Sequence, residues 1–354
     1  MRSPMECKNF LRNETGIYMS RRALLKGMTA GAAGLVMNSL NVPESIAASS
    51  AGKSRVSFVT GTDRRDMIYQ ALKPLEKEIK EGIGDKQVII KPNFVVNNIP
   101  LCATHPDAVR GVLDFLKPIY KKTIIIGEST ISQSGTFEGY KNYGYMNLPN
   151  EYKVKLIDLN KQPFTKLWIM DENRHPLGIN IINTFLDSQN YLISLTRLKT
   201  HDTVVATLTL KNIVMGSPHN NYKKGGNQKG LMHSGQPTGL NYNMFLVAQK
   251  SRPHLAVLDG VECMEGNGPV RGTPIEHGVA LAGTDCIAVD RVGVELMGFN
   301  PEDVGYLQWC SAAGMGNYDR SEINIIGPDP ANHAITYKPH EKIEWQLGWK
   351  KTKG

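Results

Sequence analysis

At 354 residues, with 41% hydrophobic and 21% charged side chains, the chain has globular composition and enough length to bury a core without disulfide or metal staples. Its formal charge of +8 falls to +5 without residues 1–50, which hold six Lys/Arg and three Asp/Glu. No basic block interleaved with aromatics marks a nucleic-acid face, which removes nucleic acid as a partner; the local cluster Tyr222-Lys223-Lys224 with Lys229 points instead to a small anionic ligand.

Near the N-terminus, Ser20-Arg21-Arg22-Ala23-Leu24-Leu25-Lys26 is followed by a weakly apolar run, Gly27–Met37, and small residues from Ala47 to Ala51. This is the pattern of a twin-arginine export signal. The apolar run is about eleven residues, well short of the roughly twenty that span a bilayer. Residues 1–50 are therefore expected to engage the twin-arginine translocation machinery and to be cleaved between Ala47 and Ala51. That expectation places the protein in the periplasm, or otherwise outside the cytoplasm, with no stable membrane span after processing. The competing readings are a cytosolic protein with a chance Arg-Arg pair and an uncleaved anchor. Cys7 lies in this segment, and Cys102, Cys263, Cys286 and Cys310 are widely separated with no C-x-x-C spacing. No iron–sulfur cluster is expected from this chain alone; a disulfide and plain buried thiols both remain open.

Val56–Thr60 reads as a strand and Asp63–Glu81 as a helix ended by Gly82 and Gly84. Gln87–Ile90 is a continuous apolar strand that stops at Lys91-Pro92-Asn93. Thr104, Pro106 and Asp107 supply a helix start, with the helix running to about Leu116. Thr123–Ile126 is a further strand, ending at Gly127-Glu128-Ser129. This alternation predicts an α/β fold: a mostly parallel sheet with helices on both faces, in a single large domain over residues 51–330 with long functional loops. The tail, 331–354, carries no pattern. Because ligands in such sheets bind beyond the carboxyl ends of strands, Lys91, Asn93 and Glu128 stand at site positions.

Further along, Val154–Leu159 reads as a strand, Phe164–Met170 and Leu177–Ile182 as a hairpin, and Tyr191–Leu195 as a strand feeding Arg197–Gly216. Within that stretch Thr203–Val214 is rich in β-branched residues, yet its length and terminal glycine favour a buried helix. Such a helix would hold Lys199 and His201 about 15 Å from Lys211 and Asn212, and would require an acid such as Asp290 to meet a buried lysine. Gly216–Gly239 is long enough to be a lid carrying His219 and His233. Helix Asn241–Gln249, strand His254–Asp259, a loop from Met264 to Pro269, strand Val279–Ala282, helices Asp285–Met297 and Asp303–Cys310, and strand Glu322–Ile326 complete the chain.

The candidate catalytic residues are Lys199, His201, Lys211, Asp259 and Glu265; the candidate substrate-binding residues are Lys91, Asn93, Glu128, Asn212, His233 and Asn267. Lysines at strand and helix ends can hold and polarise an anion, and His201 can move a proton. Asp259 and Glu265 can serve as its partners, or ligate a divalent metal together with His201 or His233. The plainer alternatives are helix caps, turn-stabilising Asn and Asp, and structural ion pairs. G-x-S-x-G, H-E-x-x-H, Walker and post-strand G-x-G-x-x-G motifs are absent, which argues against the commonest hydrolase, protease and nucleotide-binding readings.

Lys91-Pro92-Asn93, Thr104-His105-Pro106, Leu198-Lys199-Thr200-His201, Leu210-Lys211-Asn212, Asp259-Gly260, Met264 to Pro269 and Ala288-Val289-Asp290, in this order, resemble the uncharacterised family catalogued as domain of unknown function 362. The resemblance runs from about Val88 to Gly298 and implies a single α/β domain. Some relatives carry a ferredoxin-like iron–sulfur module that this chain lacks, and the resemblance implies no particular reaction. Two functions are expected from the sequence. One is an exported enzyme acting on a small carboxylate or phosphate with Lys/His/acid chemistry. The other is a noncatalytic periplasmic accessory protein that binds a ligand or cofactor and partners a redox system.

Overall fold

The apolar runs form strands, of which Asn190–Thr200 is buried along its whole length and Phe164–Met170 is mostly exposed. In chain order these are β1 (Ser54–Thr60), β2 (Gln87–Lys91), β3 (Ile124–Glu128), β4 (Val154–Asp158), β5 (Phe164–Met170), β6 (Pro176–Ile182), β7 (Asn190–Thr200), β8 (Ala206–Thr207), β9 (Leu255–Asn267), β10 (Arg271–Gly283) and β11 (Ile323–Ile326). β5 and β6 make the separate hairpin expected around Asp171. The others form one sheet in the order β11-β1-β10-β9-β7-β2-β3-β4, with β8 added to β7. β10 is antiparallel to both neighbours and β8 to β7; the remaining pairings are parallel.

This is a computed structural model that describes residues 52–221 and 226–351, together with a short strand pair, Leu11–Arg12 with Tyr18–Met19. The segment expected to be an export signal and Tyr222-Lys223-Lys224 lie outside the described residues, apart from that pair's position within residues 1–50. Residues 49–354 form one unit. Among the described residues no helix is long and apolar enough to cross a membrane.

The longer helices are α1 (Arg64–Leu72), α2 (Glu76–Ile83), α3 (Pro106–Ile119), α4 (Thr136–Asn142), α5 (Thr209–Gly216), α6 (Thr238–Ala248), α7 (Cys286–Leu296) and α8 (Gly305–Ala312). The two-residue period of the strands sends alternate side chains to opposite layers. Val88 and Ile90 of β2 join the core packed by α1, α2 and α3, whereas Ile89 meets Ile213 of α5 on the other side. α5, α6, α7 and α8 enclose a second large core with Leu198 and Leu258. The α/β architecture with helices on both faces is thus as the alternating pattern predicts. Cys102, Cys263, Cys286 and Cys310 are all free and buried.

Local chemistry sets several boundaries. Asp285 caps α7 by accepting from Ile287 N and Ala288 N at 2.9 and 3.2 Å. At α3 the cap is His105, whose Nδ1 accepts from Asp107 N at 3.2 Å. Thr104, the residue expected there, instead accepts from Asn93 N and donates to Leu195 O, both at 2.9 Å. It therefore ties the end of β2 to β7.

Besides Arg197–Gly216, three stretches differ from their sequence reading, the first being Asp63–Glu81, expected as one helix but divided into α1 and α2 by a 3-10 turn at Lys73–Leu75. The stretch Met264–Pro269 is not a plain loop: β9 continues to Asn267 and pairs with β10 down to Arg271. Its glycines and acids hide the strand pattern, and the antiparallel partner supplies the ladder. The tail also folds onto the domain, where buried Gln346 accepts from Val205 N at 2.8 Å and donates to His201 O at 2.7 Å. Gln346→Leu would leave both backbone groups unpaired, an expected loss of about 2–4 kcal/mol in urea unfolding. A loss below about 0.5 kcal/mol would show that the tail does not hold this turn.

Candidate functional site

The run from Arg197 to Gly216 turns back on itself instead of forming one helix. β7 extends to Thr200, and the chain reverses so that Ala206 faces Thr200 and Thr207 faces Lys199. His201 N donates to Val205 O at 2.9 Å across the turn. Val205 holds a φ of 64°, a left-handed conformation costly for a β-branched residue and sustained by surrounding contacts. The helix begins only at Thr209. The β-branched content of 203–209 therefore marks a turn and a short strand, and the expected 15 Å of helix between His201 and Lys211 does not exist. Both side chains line the same cavity.

Asp290 settles where α5 starts. Its carboxylate accepts from Thr209 N and Leu210 N, each at 2.9 Å, and from Thr209 Oγ1 at 2.6 Å. It answers the free amides of a helix N-terminus and is not the partner of Lys211 or Lys199 that the sequence suggested. Burial pushes its carboxyl up to about 7, against the effect of these hydrogen bonds.

The cavity, about 620 Å³, opens beyond the carboxyl ends of β2, β3 and β7, as expected for a sheet of this kind. Lys91, Asn93 and Glu128 come from strand ends, His201 and Asp202 from the turn, and Lys211, Asn212 and Gly216 from α5. Lys229 and His233 approach from the long glycine-rich segment, Asn267 to Arg271 from the β9–β10 tip, and His340 to Lys342 from the tail. Two glycines permit this closeness. A Cβ on Gly216 would lie 2.1 Å from Lys91 Cε, and one on Gly268 would lie 2.3 Å from Thr200 O.

A buried polar network forms the floor. Lys91 Nζ bonds Glu128 Oε1 and Oε2 at 3.0 and 2.9 Å, Asn212 Oδ1 at 3.0 Å and Pro92 O at 2.9 Å. Asn93 Nδ2 donates to the same Asn212 oxygen at 3.0 Å, while Asn212 Nδ2 donates to Lys91 O and Ser194 Oγ, both at 3.1 Å. Lys199, fully buried behind this floor, donates to Asn93 Oδ1 and Cys102 O. Lys229 donates to Ser129 O and, at 3.1 Å, to Ser129 Oγ.

Lys211 differs from the other three lysines. It is only 6% exposed, its side chain borders the cavity, and among the described residues its amine has no hydrogen-bond or ion-pair partner. Burial brings Lys211 down to about 8, with Asp202 opposing the shift. Burial likewise brings Lys199 and Lys229 down to about 7. His201 is held well below its ordinary value by burial first, and then by Lys211, His233 and Lys199. Its Nδ1 accepts from Thr203 N at 3.0 Å, so the ring is neutral with its hydrogen on Nε2. Asp202 Oδ1 lies 3.1 Å from Nδ1, but an ion pair there needs the protonated ring that burial disfavours. His233 is also lowered, chiefly by burial and then by Lys211.

The structure brings Lys91, Asn93, Glu128, His201, Lys211, Asn212, His233 and Asn267 to one cavity. It does not bring Lys199, Asp259 or Glu265 to the cavity lining. Asp259 is buried against Arg64, whose Nε lies 2.9 Å away, and Glu265 accepts from Lys338 N at 2.7 Å. With Asp259 and Glu265 engaged elsewhere, the metal set that would join them to His201 or His233 does not assemble among the described residues. Among the described residues no three His, Cys, Asp or Glu side chains are grouped to hold a metal ion. His219 is also structural, its Nε2 lying 2.8 Å from Asn160 O. His340 and Gln346 escaped sequence reasoning because a lone polar residue in an unpatterned tail carries no periodic or spacing signal.

The cavity and sheet define an α/β protein with a lysine- and histidine-rich site at its strand ends. The chain belongs to the family described as Domain of unknown function (DUF362), which matches residues 88–295. It is 28% identical over 230 residues to "Thylakoid-associated protein sll1697" of Synechocystis, covering 62% of this chain and 65% of that protein, so it spans slightly less than two thirds of that relative's length. A crystal structure of a Thermotoga maritima protein aligns over 72% of this chain and 60% of its own, at 11% identity and a TM-score of 0.35.

The network makes a direct stability claim. Glu128→Gln would leave Lys91 as a buried cation without a counter-charge, an expected loss of about 3–5 kcal/mol in urea unfolding at pH 7. Pairing it with Lys91→Met should restore part of that loss. Unchanged stability in the single variant would contradict a buried ion pair.

Proposed function

We propose that the cavity binds a small carboxylate- or phosphate-bearing molecule and polarises it for reaction. The observation that carries this reading is Lys211: a buried amine with no hydrogen-bond or ion-pair partner among the described residues and with Asp202 acting on it at longer range, at a wall whose other inner groups are largely basic. Lys91 and Glu128 neutralise each other, and Asp202 and Glu341 are exposed at the rim. The inner surface therefore favours an anion, and its low-dielectric walls strengthen that attraction.

In this reading Lys211 is the principal cation for the ligand, and Lys229 keeps one N–H free after its two bonds to Ser129. Neutral His201 offers an Nε2–H to a substrate oxygen; a neutral imidazole polarises without taking up a full charge. His340 Nδ1 accepts from Lys342 N at 3.0 Å, which leaves its Nε2–H as a second donor at the cavity. Asn93 and Asn212 fix the floor against which the ligand rests. Glu128, bound to Lys91, orients the site and does not act as a base.

Thermal-shift measurements with phosphate and a panel of small carboxylates test the reading, because a ligand that binds only the native state raises its stability. At least one anion should raise the melting temperature of the parent protein, and Lys211→Met should abolish that shift while melting at or above the parent temperature. Absence of any shift in the parent would overturn the reading. An anion bound by protonated Lys211 must raise that amine's proton affinity, so binding takes up protons. Affinity should therefore fall as pH rises through about 8, measurable by calorimetry across buffers of different ionisation enthalpy; affinity that rose over this range would contradict the assignment.

We also propose that the protein is exported by the twin-arginine route, on the strength of Ser20 to Lys26 and the short apolar run behind it. Arg21→Lys combined with Arg22→Lys should shift the protein from the periplasmic to the cytoplasmic fraction. An unchanged distribution would remove the export reading.

A further inference from the structure

Four buried lysines surround the cavity floor, but their amines are not equivalent. Lys91 is surrounded by four oxygens, Lys199 is held by two, and Lys229 by the two oxygens of Ser129. Lys91, with more oxygens around it than an ammonium has hydrogens, has no lone pair to offer, while Lys199 and Lys229 are each tethered to two acceptors. Lys211 alone among them faces the cavity without such acceptors among the described residues.

We propose that Lys211 is a nucleophile that forms an imine with an aldehyde or ketone bearing a carboxylate or phosphate group. This rests on the anion-binding reading above and narrows its substrate class. The carbonyl requirement comes from the free amine, and the anionic requirement from the basic groups around it.

The chemistry balances without an oxidant, reductant or further reactant. The Nζ lone pair attacks the carbonyl carbon and the C=O π pair moves to oxygen. The resulting carbinolamine closes to C=N as one water leaves, and the two hydrogens of that water are the two that the neutral amine gives up. Nε2–H of His201 lies on the same cavity wall and can hydrogen-bond the carbonyl oxygen as charge builds on it. The anionic group is left to Lys229 and His340.

Burial is one of the ways proteins make a lysine nucleophilic, and it applies here against the opposing charge of Asp202. Burial brings Lys211 to about 8, so about a tenth of it is neutral at pH 7. An unperturbed lysine has less than about 0.1% neutral amine there. The shift raises the reactive fraction by about two orders of magnitude.

The experiment uses the full chain incubated with pyruvate, dihydroxyacetone phosphate or pyridoxal phosphate, then treated with borohydride, which reduces an imine to a stable secondary amine. Intact-mass and peptide mass spectrometry locate the adduct. The expected result is one adduct per chain on Lys211 with at least one probe, suppressed by excess of an anion that lacks a carbonyl and absent in both Lys211→Met and Lys211→Arg. The two variants guard against a folding defect, since each must melt as a cooperative unit for its result to count. No adduct with any probe, or labelling spread over surface lysines equally in parent and variants, overturns the proposal. A melting-temperature shift with these probes but no adduct overturns the imine and leaves the anion site standing. Neither shift nor adduct overturns both.

Discussion

The contact on which the site depends is the buried pair of Lys91 and Glu128, bridged to α5 through Asn212. It joins the ends of β2 and β3 to a helix on the opposite side of the cavity floor. Removing both charges from water is expensive, and the geometry offsets that expense only because the remaining donors and acceptors are satisfied. Lys91 meets four oxygens, and Asn212 uses both its oxygen and its nitrogen in the same network. Gly216 is part of the same solution, because any side chain there would occupy the space of the lysine stem. With α5 locked in this way, Asn212 faces the floor and Lys211 faces the cavity.

A second constraint works from the other end of the helix. Asp290 caps Thr209 and Leu210, so α5 begins only after the chain has reversed at His201 to Val205. That reversal puts His201 and Lys211 on one wall, and Gln346 from the tail holds it in place. The polar groups divide by purpose: Lys91, Glu128, Asn93, Asn212 and Asp290 are mutually satisfied and fix the geometry, whereas Lys211 is left without a described partner at the space they enclose. An unpartnered buried cation lowers stability, and its persistence at a cavity is the kind of local cost associated with function.

Much of the fold was legible in the sequence. The strand runs Gln87–Ile90 and Thr123–Ile126, the helix starting at Pro106, and the turn signals between them predict a parallel α/β sheet because buried strands and capped helices carry local chemistry. Lys91, Asn93 and Glu128 could be placed at strand ends by the same logic. What stayed hidden was non-local. Whether Thr203–Val214 is helix or hairpin depends on Asp290 and Gln346, far away in sequence, and whether Asp259 faces the cavity depends on Arg64. The strand character of Met264–Asn267 becomes visible only once β10 lies alongside it. His340 carried no signal until the tail's path was known.

The central claim is that Lys211 presents an accessible amine of lowered proton affinity to an anion-binding cavity. The most direct measurement is its titration by NMR after isotopic labelling of lysine side chains, with Lys211→Arg identifying the resonance. The account predicts a midpoint near 8 that moves upward when an anion binds. A midpoint at the ordinary lysine value of about 10.4, unmoved by any anion, would contradict it.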